Sequence, residues 1–132
     1  MADPRDIRDH RYVSLTSFKR DGQPVHVPVW IAPLPDGRAG FTTDAGSFKV
    51  KRIRRNASVE LRPCDVRGKV PDGAVAATGT AVVEGDGAAH DEVHRAVARK
   101  YGIQFHLIEL GGKIKRFVRK GDPVVAVVIT LD

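Results

Sequence analysis

Tyr12–Phe18 reads YVSLTSF, apolar and polar side chains in alternation. A period of two sends successive side chains to opposite faces, which suits a half-buried strand and not a helix. Asp21-Gly22 follows, a dipeptide of the hairpin-turn type. Val25–Ile31 (VHVPVWI) then reads as a second strand, with β-branched residues at alternate positions. Pro28 has no N–H to give a ladder, so it marks an edge or a bulge. Pro35-Asp36-Gly37 makes the next turn and Arg38–Thr43 a third strand. The N-terminal third of the chain thus predicts a meander of three antiparallel strands.

Further strands are expected at Ser58–Cys64, at Ala74–Val83 (AVAATGTAVV) and at Val124–Leu131 (VVAVVITL). Gly79 reads as a bulge in the second of these. The unbroken apolar run of the third predicts a central, fully buried position. Asp65–Asp72 reads as a loop or a short strand extension carrying Arg67 and Lys69. Ala88–Tyr101 predicts an amphipathic helix, with Val93, Val97 and Tyr101 on one face and Gly102 where a C-cap glycine belongs. Residues 104–110 predict a short helix. With 132 residues and 42% apolar residues the chain has the size of one domain with one core. The expectation is a mainly β (α+β) fold, a six-stranded antiparallel barrel with helical insertions, spanning 1–132, with residues 1–10 as a flexible or helical arm.

Charge adds a second constraint. Basic residues number 22 against 16 acidic ones, a net charge of +6. Ten of the basic residues fall in KVKRIRR at 49–55 and KIKRFVRK at 113–120, five in each. Such clusters read either as solvated helix faces or as sites for an anion, and two in so short a chain favour the anion. Ser47 can cap a helix over Phe48–Arg55 that Asn56 ends. Val50 and Ile53 share one face of it, and Lys51, Arg52 and Arg55 fall on the other. Lys49 lies in the first turn, beside free N–H groups and the positive end of the helix dipole.

Motifs that would name a chemistry are missing. There is no GxGxxG, no GxxxxGK[ST] and no GxSxG in the sequence. His90 and His94 stand four apart in HDEVH, but the glutamate is at the third position, unlike the zinc motif HExxH, and no third ligand is near. They read as two solvated helix histidines, with no metal site expected. His26 reads as a satisfied strand histidine, with a ligand-facing role as the alternative. Cys64 is the one cysteine, which excludes an intrachain disulfide and reads as a buried, inert thiol. No run approaches the ~20 apolar residues of a membrane span. MADPRDIRDHR at the start has no apolar stretch, so a cytoplasmic protein is expected. Without an acid–base–nucleophile set, an enzyme of this kind would rely on a bound cofactor.

The stretches YVSLTSFKRDGQPVHVPVWIA, TTDAGSFKVKRIRRNASVEL and GTAVVEGDG together resemble the split β-barrel flavin and deazaflavin oxidoreductases related to pyridoxamine 5'-phosphate oxidase. The resemblance covers about residues 10–130 and is weakest at 104–120. SFKVKRIRRN preceded by PVW is closest to the coenzyme F420-dependent branch. The resemblance implies a split barrel, a homodimer with cofactor at its interface, and a cofactor phosphate at the helix start. Ser47 and Lys49 match the family's serine and lysine there. Pro28, Val29 and Trp30 would underlie the tricyclic ring, and Thr43 completes the implied set. Lys51, Arg52 and Arg55 join it from charge and helix geometry. Phe48 replaces the oxidase arginine, and the end VVAVVITLD lacks the oxidase's arginine-bearing tail, so pyridoxamine phosphate is not the implied substrate.

FMN carries one phosphate, whereas F420 carries a phosphodiester and several carboxylates. Two basic clusters suit the longer polyanion, with FMN as the alternative and hydride transfer to an unsaturated small molecule as the expected reaction. A cofactor or anion binder without turnover is the remaining class. A nucleic-acid partner is disfavoured, because aromatics are only 6% and sit at alternating strand positions.

Overall fold

The computed structural model describes residues 4–116 and 124–132, with side chains described for 7–102 and 124–132. The second basic cluster, 113–120, therefore lies outside the described side chains. Among the described residues seven strands form one antiparallel sheet: β1 (Val13–Phe18), β2 (Pro24–Val29), β3 (Ala32–Pro33), β4 (Arg38–Asp44), β5 (Ser58–Pro63), β6 (Ala77–Glu84) and β7 (Val124–Leu131). Their order is β2-β1-β5-β6-β7-β4-β3. Helix α1 is Phe48–Arg55, and α2 is Gly87–Arg116 with a break at Gly102. One more strand is present than the sequence predicts, the two-residue β3.

The β1–β2 hairpin forms as expected, and its Pro28 sits on an edge strand opposite Ser14. The meander does not continue. Trp30 and Ile31 carry the chain across to the far edge of the sheet, where β4 pairs with β3 and β7. Phe41 lies opposite Val127 and Ala39 opposite Ile129, so β4 buries its apolar phase against a strand almost ninety residues away. Turn signals mark where a strand ends but not which strand it joins.

Two apolar clusters flank the sheet. Val13, Leu15, Ile31, Phe41, Leu61 and Ile129 belong to the inner one, which α1 closes through Ile53. Val93, Val97 and Tyr101 of α2 pack on Ala126 and Val128 in the other. Strand β7 thus has Val127 and Ile129 on one face and Ala126 and Val128 on the other, all buried. Burying each such side chain contributes about 1.5–3 kcal/mol, which explains why this strand is apolar throughout.

Gly79 is not a bulge. It pairs in register with Val59 on one side and Leu131 on the other. Its reason is proximity: a Cβ there would lie 2.7 Å from the Thr130 carbonyl oxygen. Gly102 has φ 55° and ψ −130°, and it breaks the helix where a C-cap glycine was expected. Beyond it the backbone is helical to Arg116, longer than the short helix expected at 104–110. Residues 4–9 form a 3₁₀ turn docked through buried Ile7, and 65–72 make turns with no strand extension.

Candidate functional site

Strand β4 ends at Asp44, and a turn closed by the Ser47 N–H on the Asp44 carbonyl (3.0 Å) leads into α1. Ser47 is the N-cap in extended backbone, its Oγ accepting from the Val50 N–H at 3.4 Å. Val50 and Ile53 are buried, and the Asn56 N–H closes the helix on the Arg52 carbonyl at 2.8 Å. The helix has the limits the sequence predicts, because a cap, an apolar pair and a terminator within ten residues leave little choice. It contains no acidic residue. Lys49 is half-buried in its first turn, Thr43 is buried at the end of β4, and Lys51 and Arg55 are exposed.

Arg52 departs from its expected face. Its Nε donates to the Ser17 Oγ of β1 at 2.7 Å, and burial lowers its pKa. Ser17 is fully buried, so this guanidinium supplies the partner the hydroxyl needs. The outward cations of α1 are Lys51, Arg54 and Arg55. Phe48 is 73% exposed, with the Lys51 Nζ 5.1 Å from its ring centre.

The segment Pro28-Val29-Trp30 is divided. Pro28 is exposed on β2, Val29 is buried in the inner core, and Trp30 stacks on Tyr101 with ring centres 4.5 Å apart and planes 15° apart. Val29 therefore presents little side-chain surface to a ligand. Tyr101 Oη lies 2.8 Å from the Arg11 carbonyl and 2.9 Å from the Ile31 carbonyl, its one proton shared between them, and burial is the main cause of its raised pKa. Lys100 Nζ donates to the carbonyls of Arg8, His10 and Ile31 at 2.6–2.7 Å. Burial brings this ammonium down to about 8, against the opposing pull of Asp9. The two side chains fix the Trp30–Ile31 crossover and the N-terminal turn to α2.

A groove of about 560 Å³ opens on the outer face of β2, β1 and β5. Ser14 and Thr16 form its floor, 2% and 0% exposed. Thr16 Oγ1 lies 2.7 Å from His26 Nδ1 and accepts from Arg62 Nη1 at 3.4 Å. Arg62 Nη1 also pairs with Glu60 Oε1 at 2.9 Å. Phe18, Pro24 and Val70 supply apolar wall. His26 is thus satisfied, as expected, and lines a cavity as well.

His90 is less solvated than expected: its Nε2 lies 3.3 Å from the Val124 carbonyl and its Nδ1 3.1 Å from Asp91. Burial and then Asp65 raise the thiol pKa of half-buried Cys64. Among the described residues no group of three or more His, Cys, Asp or Glu is placed to hold a metal. None of the helices there is long and apolar enough to cross a membrane.

The sequence profile described as pyridoxamine 5'-phosphate oxidase matches residues 5–130. The chain belongs to that family. A comparison with curated proteins finds no match. Among solved structures, a conserved hypothetical protein, Rv2991, from Mycobacterium tuberculosis shares the fold with TM-score 0.66 and 24% identity, over 99% of this chain and 81% of that one. A structure named F420 reductase aligns with TM-score 0.60 and 18% identity, over 97% and 92%. A pyridoxamine 5'-phosphate oxidase-related, FMN-binding protein from Nostoc punctiforme aligns with TM-score 0.58 and 14% identity, over 96% and 76%. At these identities the likeness is one of fold.

In this member of the pyridoxamine 5'-phosphate oxidase family, Arg52 of α1 and the groove lie on opposite faces of β1. Ser17 points to Arg52 on one face, and Thr16 points to His26 and Arg62 on the other. The roles of Thr16, Glu60 and Arg62 were not legible in the sequence. The only signal was that the polar phase of β1 carries small hydroxyls; the register Thr16–His26 and Thr16–Glu60 that assembles the groove is a tertiary fact.

Proposed function

We propose that this chain is an oxidoreductase that holds coenzyme F420 at the start of α1 and reduces an unsaturated small molecule. The observation that carries the reading is a capped helix without any acidic residue, opening with half-buried Lys49 and continuing with exposed Lys51, Arg54 and Arg55. The N–H groups of its first turn and Lys49 suit a phosphate, and the outward cations suit carboxylates further along an anionic tail. That donor set fits the cofactor. F420, when bound, supplies a hydride. The chain's own part is to orient and clamp: Ser47 holds the helix start, Lys49 meets phosphate, and the Trp30–Tyr101 stack stiffens the crossover beside Pro28. The functional unit in this reading is a two-fold dimer, because so small a barrel has too little depth to enclose the cofactor alone.

FMN is the second reading, supported by the FMN-binding relative of the same fold. Purification from a host that makes FMN but no deazaflavin separates the two. A colourless protein that quenches the fluorescence of added F420 is the expected result. A yellow protein with stoichiometric flavin makes FMN the cofactor, and a protein that takes neither is a binder of another kind.

A further inference from the structure

We infer that the carbonyls of Arg8, His10 and Ile31 form a monovalent-cation site, that the Lys100 ammonium is its built-in occupant, and that this single charge holds the N-terminal strap, Ile7–Arg11, closed on the Trp30–Ile31 crossover. The inference is independent of the cofactor reading, since it uses no residue of α1 and none that lines the groove. From α2 the ammonium joins carbonyls that are 92, 90 and 69 residues away in sequence.

Lys100 Nζ lies 2.7 Å from the Arg8 carbonyl, 2.6 Å from that of His10 and 2.7 Å from that of Ile31. An ammonium has three N–H donors, so three carbonyls match it one for one. The Tyr101 ring centre is 5.3 Å away, within the range of a cation–π contact. Tyr101 Oη lies beside the Arg11 and Ile31 carbonyls, so the strap turns its carbonyls at 8, 10 and 11 toward one pair of side chains on α2. Asp9 attracts the ammonium and Arg11 repels it, but its hydrogen bonds end on neutral carbonyls. Neutral oxygens suit a single charge. Divalent ions take carboxylates at shorter range, about 2.0–2.1 Å for magnesium and about 2.3–2.6 Å for calcium. Potassium, by contrast, is held by backbone carbonyls that replace its hydration shell. His10 is exposed and Lys100 half-buried, so a small cation reaches the cradle once the lysine is gone. The strap has other fasteners: Ile7 is buried, and Arg8 Nη1 lies 3.3 Å from the Leu34 carbonyl and 3.4 Å from that of Arg38. Removing the ammonium should therefore loosen the strap without unfolding the sheet.

The test is tryptic cleavage of the full chain after Arg8 and Arg11, whose carbonyls are among those that Lys100 and Tyr101 hold. Cleavage after Arg20, exposed in the β1–β2 turn, is the internal control. Lys100→Ala empties the cradle, and Lys100→Met fills it with an apolar end. Both variants should be cut after Arg8 and Arg11 about tenfold or more faster than wild type, the effect of losing bonds from a charged group, with cutting after Arg20 unchanged. Ammonium or potassium chloride should return Lys100→Ala most of the way to the wild-type rate. Lithium and tetramethylammonium chloride at the same ionic strength should not, and no salt should rescue Lys100→Met. Trp30 is the one tryptophan and stacks on Tyr101. Its emission should shift in Lys100→Ala and return with ammonium, because the crossover follows the strap. Wild-type cleavage in both variants, equal recovery in every salt, rescue of Lys100→Met, Trp30 emission that ignores ammonium while the strap recovers, or a Lys100→Ala chain unfolded in every salt would each overturn the inference.

Discussion

A methyl group at position 79 would lie 2.7 Å from the Thr130 carbonyl oxygen and 3.0 Å from the Ile129 side chain. Backbone cannot yield as a flexible side chain does, so Gly79→Ala should push β6 from β7 and cost about 1–3 kcal/mol. A denaturant midpoint measures it, and an unchanged midpoint would mean the two strands are less tightly joined. Lys100 gives a pH signature. Its folded pKa of about 8 lies below the unfolded 10.5, so between those values the folded chain holds fewer protons than the unfolded one. Stability therefore rises with pH across that window, and the contribution is absent below it. Lys100→Met should remove this slope. It should also lower overall stability, since the Arg8, His10 and Ile31 carbonyls lose their shared donor. A slope that persists in the variant would assign it to another group.

Among the elements, α1 joins local sequence most directly to the proposed chemistry. Ser47→Ala removes the cap and should cost about 1 kcal/mol of stability. Lys49→Ala should lower F420 affinity by about 1.5–3 kcal/mol, roughly ten- to a hundredfold. Arg55, exposed in the last turn, should matter by less than about 1 kcal/mol, with an effect that fades in added salt. Fluorescence titration of the two variants in low and moderate salt reads both effects. Wild-type affinity in Lys49→Ala would remove the phosphate from this helix. The neighbouring element, the Trp30–Ile31 crossover, is held by α2 through Tyr101 and Lys100, so α2 takes part in placing the β2 end of the proposed site.

For the whole molecule, the net charge of +6 predicts attraction of anionic ligands at low salt that weakens as ionic strength rises. The dimer is expected by light scattering at micromolar concentration with cofactor present. A monomer under those conditions would count against a cofactor site shared between two chains.

By itself the sequence determined what short-range chemistry specifies. The capped α1, the β1–β2 hairpin, the α2 face of Val93, Val97 and Tyr101, and the central β7 all follow from residues within a few positions of one another. The motif wording around Ser47 and Lys49 likewise pointed to the family whose profile matches residues 5–130. Pairing across the sheet was beyond it. That β4 joins β7 and not β2, that Gly79 is a close approach, that Arg52 turns inward to Ser17, and that Thr16 gathers His26 and Arg62 all depend on register between distant segments. A period of two says which side chains share a face of one strand. Only the closed core, by burying one phase of every strand at once, decides which strands lie side by side and which polar groups meet on the other face.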